Sequence, residues 1–140
     1  MYLDTSVVVS LYAREADSDK FEAIAADSDG FFSSELLRAE ITGALLAKEK
    51  NKIITPDLRE AILALFDEHV SDGTVRLIPL NGLVVREAVK VMKQVHPEVL
   101  LRTLDAIHLA TYLSVDAGPL FTRDRRMKEA ARKLGIPLAG

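Results

Sequence analysis

Leu120-Phe121-Thr122-Arg123-Asp124 decides how the rest of this chain is read. A short apolar run ends in a hydroxyl, a cation and an acid, and Arg125, Arg126, Lys128, Arg132 and Lys133 follow. The pattern predicts a buried strand over 120–122, with Asp124 leaving it where a short basic helix begins. The N-terminus repeats the arrangement. Met1 to Asp4 read as a short buried strand leading into a turn, and Thr5 or Ser6 is expected to cap the helix that follows.

Between these ends, helical and strand patterns alternate. Phe21, Ile24 and Ala25 are spaced for a helix over 19–26, and Gly30 to Ser33 is a second strand candidate. A helix opens at Ser34 with Leu36, Leu37, Ile41, Ala44 and Leu45 on one face. Thr55-Pro56 supplies a capping hydroxyl and then proline at the first helical position. That helix carries Leu58, Ala61, Ile62, Leu65 and Phe66 inward and stops at Asp72-Gly73. Val75 to Leu80 is a third strand. A helix over 82–95 ends before Pro97, which disfavours helical geometry in the preceding residue. Thr103 is placed to cap a helix running to Gly118, and Ile136-Pro137-Leu138 closes the chain. Short apolar strands alternating with amphipathic helices predict an α/β fold, a parallel sheet covered on both faces.

Bulk composition narrows the function. A length of 140 residues, with 49% hydrophobic residues, suits a single domain over 1–140. No repeat or low-complexity stretch divides it. The absence of cysteine excludes disulfides, thiolate metal sites and a cysteine nucleophile, and fits a reducing compartment. An acid stands where a signal peptide would carry its basic region, and no apolar run is long enough to cross a bilayer. A cytoplasmic protein without membrane attachment is expected. A formal charge of −3 argues against a protein that coats nucleic acid. The cluster from Arg123 to Lys133 could still be simply a solvated helix face.

Right-handed crossovers bring the C-terminal ends of parallel strands to one edge, and sites in such folds lie there, where the strand order reverses. Asp4 and Asp124 both follow strands, so both emerge at that edge. Asp105 lies in the first turn of the helix preceding the last strand. Glu40 lies among Leu36, Leu37, Ile41 and Ala44, on or beside an apolar stripe, where a carboxylate is unfavourable unless paired. Taken singly, each aspartate is explained as a helix cap, and Glu40 by a neighbouring arginine such as Arg38. Taken together, clustered carboxylates repel one another and stay ionised mainly when a cation is supplied. Oxygen donors without cysteine or paired histidines favour Mg²⁺ or Mn²⁺ over Zn²⁺. Such ions can clamp a phosphodiester and activate water.

Four segments carry a family resemblance: Asp4-Thr5-Ser6; Glu40 in a helix opening Ser34-Glu35-Leu36; Leu104-Asp105-Ala106-Ile107-His108-Leu109-Ala110; and Phe121-Thr122-Arg123-Asp124. In that order they resemble the successive motifs of PIN domains, and the chain is particularly similar to VapC-like toxins. The resemblance covers essentially the whole chain. It implies a three-layer α/β/α fold with about five parallel strands. It further implies endonucleolytic RNA cleavage with Mg²⁺ or Mn²⁺, leaving a 5′-phosphate and a 3′-hydroxyl. Carried over, Asp4 is the central metal ligand, Asp105 and Asp124 are further ligands directly or through water, and Glu40 holds a metal or its water. Ser6 and Thr122 match small polar positions that orient the aspartates. Arg123, Arg125 and Arg126 become candidates to guide RNA. The implied partners are RNA, a small VapB-like antitoxin and a second copy of the chain in a homodimer. His108 reads as a packing or structural residue, and His69 and His96 as surface or loop residues.

Three rival readings share parts of this pattern. An aspartyl phosphatase would carry Asp-x-Asp after the first strand, where Ser6 stands instead. A non-catalytic PIN-like binding or regulatory module has no reason to keep the acids. A DNA- or structure-specific nuclease would share the metal chemistry but is expected to carry further DNA-binding elements.

Overall fold

In the computed structural model, which describes residues 1–140, alternation along two very short strands separates the two cores. Strand β1 (Tyr2–Leu3) and strand β4 (Leu120–Phe121) pair in parallel, with Tyr2 opposite Leu120 and Leu3 opposite Phe121. Successive side chains of a strand point to opposite faces. Tyr2 and Leu120 therefore enter one apolar cluster, and Leu3 and Phe121 the other. The first cluster is completed by α5 (Gly82–Val95), α6 (Thr103–Leu113) and α7 (Arg125–Lys133). The second takes α1 (Thr5–Tyr12), α2 (Ser18–Ala25), α3 (Leu37–Lys50) and α4 (Pro56–Ser71). Helices thus cover both faces of the sheet, giving the expected three layers.

Strands β2 (Phe31–Ser34) and β3 (Val75–Ile78) complete a four-stranded parallel sheet in the order β3-β2-β1-β4. The chain moves outward from β1 through β2 to β3, then returns to the other side of β1 to lay down β4. The reversal lies between β1 and β4, so a crevice opens at their C-terminal ends. About five strands were expected, and four form. Beyond β4, Leu138 makes only a single parallel bridge to Leu120. Pro137 has no N–H to donate there, so the ladder is not extended by its backbone.

Several helix starts differ from the sequence expectation. Asp4, not Thr5 or Ser6, caps α1 by accepting from the Val7 amide at 3.1 Å. Ser34 ends β2 rather than opening a helix, and α3 begins at Leu37 after a turn in which Ser34 Oγ accepts from the Leu36 amide. Helix α6 has no side-chain cap. Arg102 occupies the capping position, Thr103 is already helical, and the helix stops at Leu113 rather than reaching Gly118. Thr55 does cap α4, accepting from the Leu58 amide at 3.1 Å ahead of Pro56. Gly73 at φ 84° then turns the chain back toward β3, a conformation that glycine adopts without strain. No helix is long and apolar enough to cross a membrane.

Replacing Thr55 with alanine removes the only side-chain acceptor at the start of α4. Thr55→Ala is expected to lower stability by about 1 kcal/mol, measured by urea unfolding. A loss of no more than about 0.3 kcal/mol would show that Pro56 and packing alone set this helix start.

Candidate active site

Asp4 and Asp124 each immediately precede the helix that follows a strand, and in both the capping hydrogen bond fixes one carboxylate oxygen. Asp4 Oδ1 accepts from the Val7 amide at 3.1 Å and from Ser6 Oγ at 2.7 Å. Asp124 Oδ1 accepts from the Met127 amide at 2.9 Å. Thr122, the residue after β4, donates its hydroxyl to Asp4 Oδ2 at 2.5 Å and accepts from the Asp124 amide at 3.0 Å. One buried hydroxyl thus sets the spacing of the two strand-end acids. Ser6 and Thr122, the two small polar positions the resemblance singled out, both donate to Asp4.

Asp105 joins them from the first turn of α6. Burial pushes its carboxyl up, the charges on Asp124 and Asp4 push it further, and Arg102 pulls it partly back. Its Oδ2 is buried without any hydrogen-bond partner, an unfavourable state for a carboxylate oxygen. Asp4, only 4% exposed, is also pushed up by burial, against the donors Thr122, Ser6 and the Val7 amide.

Glu40 reaches the same edge from the opposite helical layer. It follows Leu37 and precedes Ile41, both fully buried, and its side chain is 20% exposed. Oε1 accepts from Thr5 Oγ1 at 2.8 Å and lies 2.6 Å from His108 Nε2. Arg38 does not reach it, being paired with Glu35 and Asp67. None of the four acids is ion-paired with lysine or arginine.

The donor set fits a hard divalent cation in part. Its oxygens are carboxylate, one is orphaned, and the charge has no internal counterion. Against this, no three histidine, aspartate or glutamate side chains stand close enough to enclose one ion. A fully protein-built cage is therefore absent. Mg²⁺ does not require one, since it commonly keeps several waters and takes one or two carboxylates plus substrate phosphate.

The basic residues divide. Arg123 is engaged internally, pairing with Glu15 and with Asp17 at 3.6 Å and lying over the Phe21 ring at 5.3 Å. Glu15 also holds Lys48 at 2.7 Å. Arg125 pairs with Glu129 in an exposed helical bridge, while Arg126 is exposed and unpaired.

Comparison with known proteins agrees with this architecture. The model of the PIN domain matches residues 1–133. This chain belongs to the PIN-domain family. Its relatives include ribonuclease VapC46 of Mycobacterium tuberculosis, 37% identical over 97% of this chain and 93% of that protein. Ribonuclease VapC35 of the same species is 32% identical over the same shares. The crystal structure of M. tuberculosis VapC20, described as a toxin cleaving the sarcin–ricin loop, superposes with a TM-score of 0.71. That match covers 92% of this chain and 93% of the other at 18% identity, a likeness of fold.

Within the PIN fold, the sequence reading underestimated two polar partners of Glu40. Thr5 was expected only as a cap. His108 is structural in the sense of being 2% exposed, yet one ring nitrogen faces an acid of the site. The signal was present: His108 lies three residues after Asp105, on the same face of a helix. His69 is hydrogen-bonded to Tyr12, and His96 is exposed.

The raised pKa of Asp105 makes a signed prediction. An acid whose folded pKa exceeds its unfolded value binds protons more readily when folded, so stability falls as pH rises through that window. For Asp105 the window opens at the ordinary value of 3.8 and extends upward. In chelator, Asp105→Asn is expected to be more stable than wild type at neutral pH, with the gap closing below that value. Urea midpoints between pH 3.5 and 8 measure it, and a less stable variant at neutral pH would contradict the charge strain.

Proposed function

We propose that this PIN-domain protein is a Mg²⁺- or Mn²⁺-dependent endoribonuclease and the toxin of a toxin–antitoxin pair. It would act in the cytoplasm as a homodimer, held inactive by a small VapB-like antitoxin over the acidic crevice. The observation that carries the reading is the group Asp4, Asp105 and Asp124 at the sheet's reversal, of which Asp4 and Asp105 are strained by burial and none is ion-paired with lysine or arginine. The VapC ribonucleases among its relatives supply the substrate class.

Asp4 would be the central ligand, with Asp105 and Asp124 beside it and Glu40 at the margin. A divalent ion there neutralises the carboxylates, makes a water easier to deprotonate and steadies charge on the phosphate. The protein's own work is positioning. Thr122, Ser6 and the α1 amide immobilise Asp4, and the α7 amide immobilises Asp124. The N-termini of α1 and α7 add partial positive charge at the same edge. They offset part of the repulsion that an RNA phosphate meets there. Products with a 5′-phosphate and a 3′-hydroxyl follow from water attacking phosphorus and the 3′ oxygen leaving.

Two measurements test this. Asp4→Asn keeps an oxygen for the Val7 and Ser6 donors but removes the charge. It is expected to lower RNA cleavage in Mn²⁺ at least a hundredfold while remaining folded, and chelator is expected to abolish wild-type cleavage. Cutting by the folded variant at the wild-type rate removes Asp4 from the mechanism. The basic residues should divide as their contacts do. Arg126→Ala is expected to weaken RNA binding and reduce its salt dependence without changing the melting temperature. Arg123→Ala is expected to lower the melting temperature first. Unaltered RNA affinity in Arg126→Ala would remove that residue from the RNA path.

A further inference from the structure

His108 is nearly inaccessible and hydrogen-bonded at both ring nitrogens. Nδ1 lies 3.0 Å from the Tyr2 hydroxyl, and Nε2 lies 2.6 Å from Glu40 Oε1 and 3.3 Å from Thr5 Oγ1. An ionised carboxylate only accepts, so Nε2 must carry the proton of that bond. In a neutral ring, Nδ1 then accepts from the Tyr2 hydroxyl, which fixes the tautomer. In an imidazolium, both nitrogens donate and the phenol oxygen accepts. Nε2–H points at Glu40 in either case.

The location gives this bond its importance. Glu40 is on α3, in the layer of α1, α2 and α4, whereas Asp105 is on α6, in the other layer. The His108–Glu40 bond is the one polar side-chain link between α3 and α6. It is made one helical turn from Asp105. Tyr2, buried in the central strand two residues before Asp4, braces the far side of the ring. A free glutamate near the surface has three side-chain torsions and many rotamers. Here Thr5 and His108 converge on a single oxygen, Oε1, and leave Oε2 without a hydrogen-bond partner.

We propose that His108 is a positioning residue: braced by Tyr2, its Nε2–H holds the Glu40 carboxylate of one layer in register with the aspartates of the other. The inference rests on Glu40 serving the divalent-ion site of the proposed function. Groups that orient ligands in this way commonly change metal affinity by about ten- to a hundredfold when removed.

The test is Mn²⁺ binding to the full chain without RNA, followed by electron paramagnetic resonance, with urea unfolding on each variant. A glutamine amide reaches the position of Nε2, whereas asparagine reaches only that of Nδ1. His108→Gln is therefore expected to stay within about threefold of the wild-type dissociation constant. His108→Asn and His108→Ala are expected to bind about tenfold or more weakly. Asparagine and glutamine both preserve a buried polar group, so their comparison stands even if the alanine variant fails to fold. A purely structural histidine would change stability in all three and leave the Mn²⁺ affinity of the folded protein alone. That outcome, or glutamine binding no better than asparagine, overturns the proposal. Glu40→Gln, which keeps Oε1 as an acceptor but removes the charge, separates the two levels. If it weakens Mn²⁺ binding and the His108 variants do not, only the positioning role fails. If it leaves binding unchanged, Glu40 has no part in the metal site, and both fail.

Discussion

Repulsion among carboxylates that have been partly removed from water governs this molecule. Asp4 and Asp105 are both pushed toward the protonated state by burial, and Asp105 further by Asp124 and Asp4. Nothing within the chain cancels their charge with a full cation. The fold holds the group together by other means: a sheet whose order reverses at β1 and β4, two helix N-termini, and a threonine hydroxyl spanning the gap. Each is worth roughly a kilocalorie or so alone. The rest of the structure supplies the remainder through apolar burial on both faces. A site of this kind is destabilised locally and supported globally, as expected where ligand binding rather than folding supplies the missing charge.

The ordinary role of an aspartate at a strand–helix junction and its role in a site turn out to be compatible. Capping uses one oxygen of Asp4 and of Asp124 and fixes the side-chain torsion. A carboxylate held by its helix cannot rotate away from a neighbour of like charge. The short β1 and β4 strands have the same consequence. With two residues each, they fix Asp4 directly through the register of Leu3 with Phe121, and Asp124 through Thr122 and the α7 cap. Glu40 lacks such help. It projects from the middle of a helix on a longer side chain, and its placement falls to Thr5 and His108. The acids near strand ends are fixed by the backbone, and the acid on the helix by other side chains.

That division also explains what could be read from the sequence. Short apolar runs, helical spacing and capping residues located the strands and helices, because burial dictates such patterns residue by residue. The strand-end position of Asp4 and Asp124 followed from the same patterns. Boundaries shifted where one side chain could serve two purposes. Asp4 took the cap from Thr5 and Ser6, freeing Thr5 to reach Glu40, 35 positions away. Ser34 finished a strand whose pairing with Ile78 is non-local. The fifth strand shrank to one bridge at Leu138. The spacing of His108 from Asp105 was legible, but its hydrogen bonds were not, since Tyr2 and Glu40 come from separate segments. Periodicity gives a side chain's face but not the polar atom opposite it.

Charge placement shows the same limit. Read along the chain, Arg123, Arg125 and Arg126 are three adjacent cations beside an acidic crevice. In the fold, Arg123 is bound to the α1–α2 segment through Glu15 and stacked on Phe21, so its charge closes a structural contact between distant parts of the chain. Arg125 is matched by Glu129, and Lys133 by Glu98. Of a dense basic run, Arg126, Lys128 and Arg132 are left without an ion-pair partner. With half of this run neutralised within the fold and a net charge of −3, the C-terminal cations do not form an extended basic track for nucleic acid. Under the proposed function, recognition would have to come from contacts near the scissile phosphate, where the acids would make approach unfavourable until a divalent ion is bound. A nuclease so arranged would bind RNA weakly without metal, and the carboxylates that strain the fold would also gate its access to the crevice.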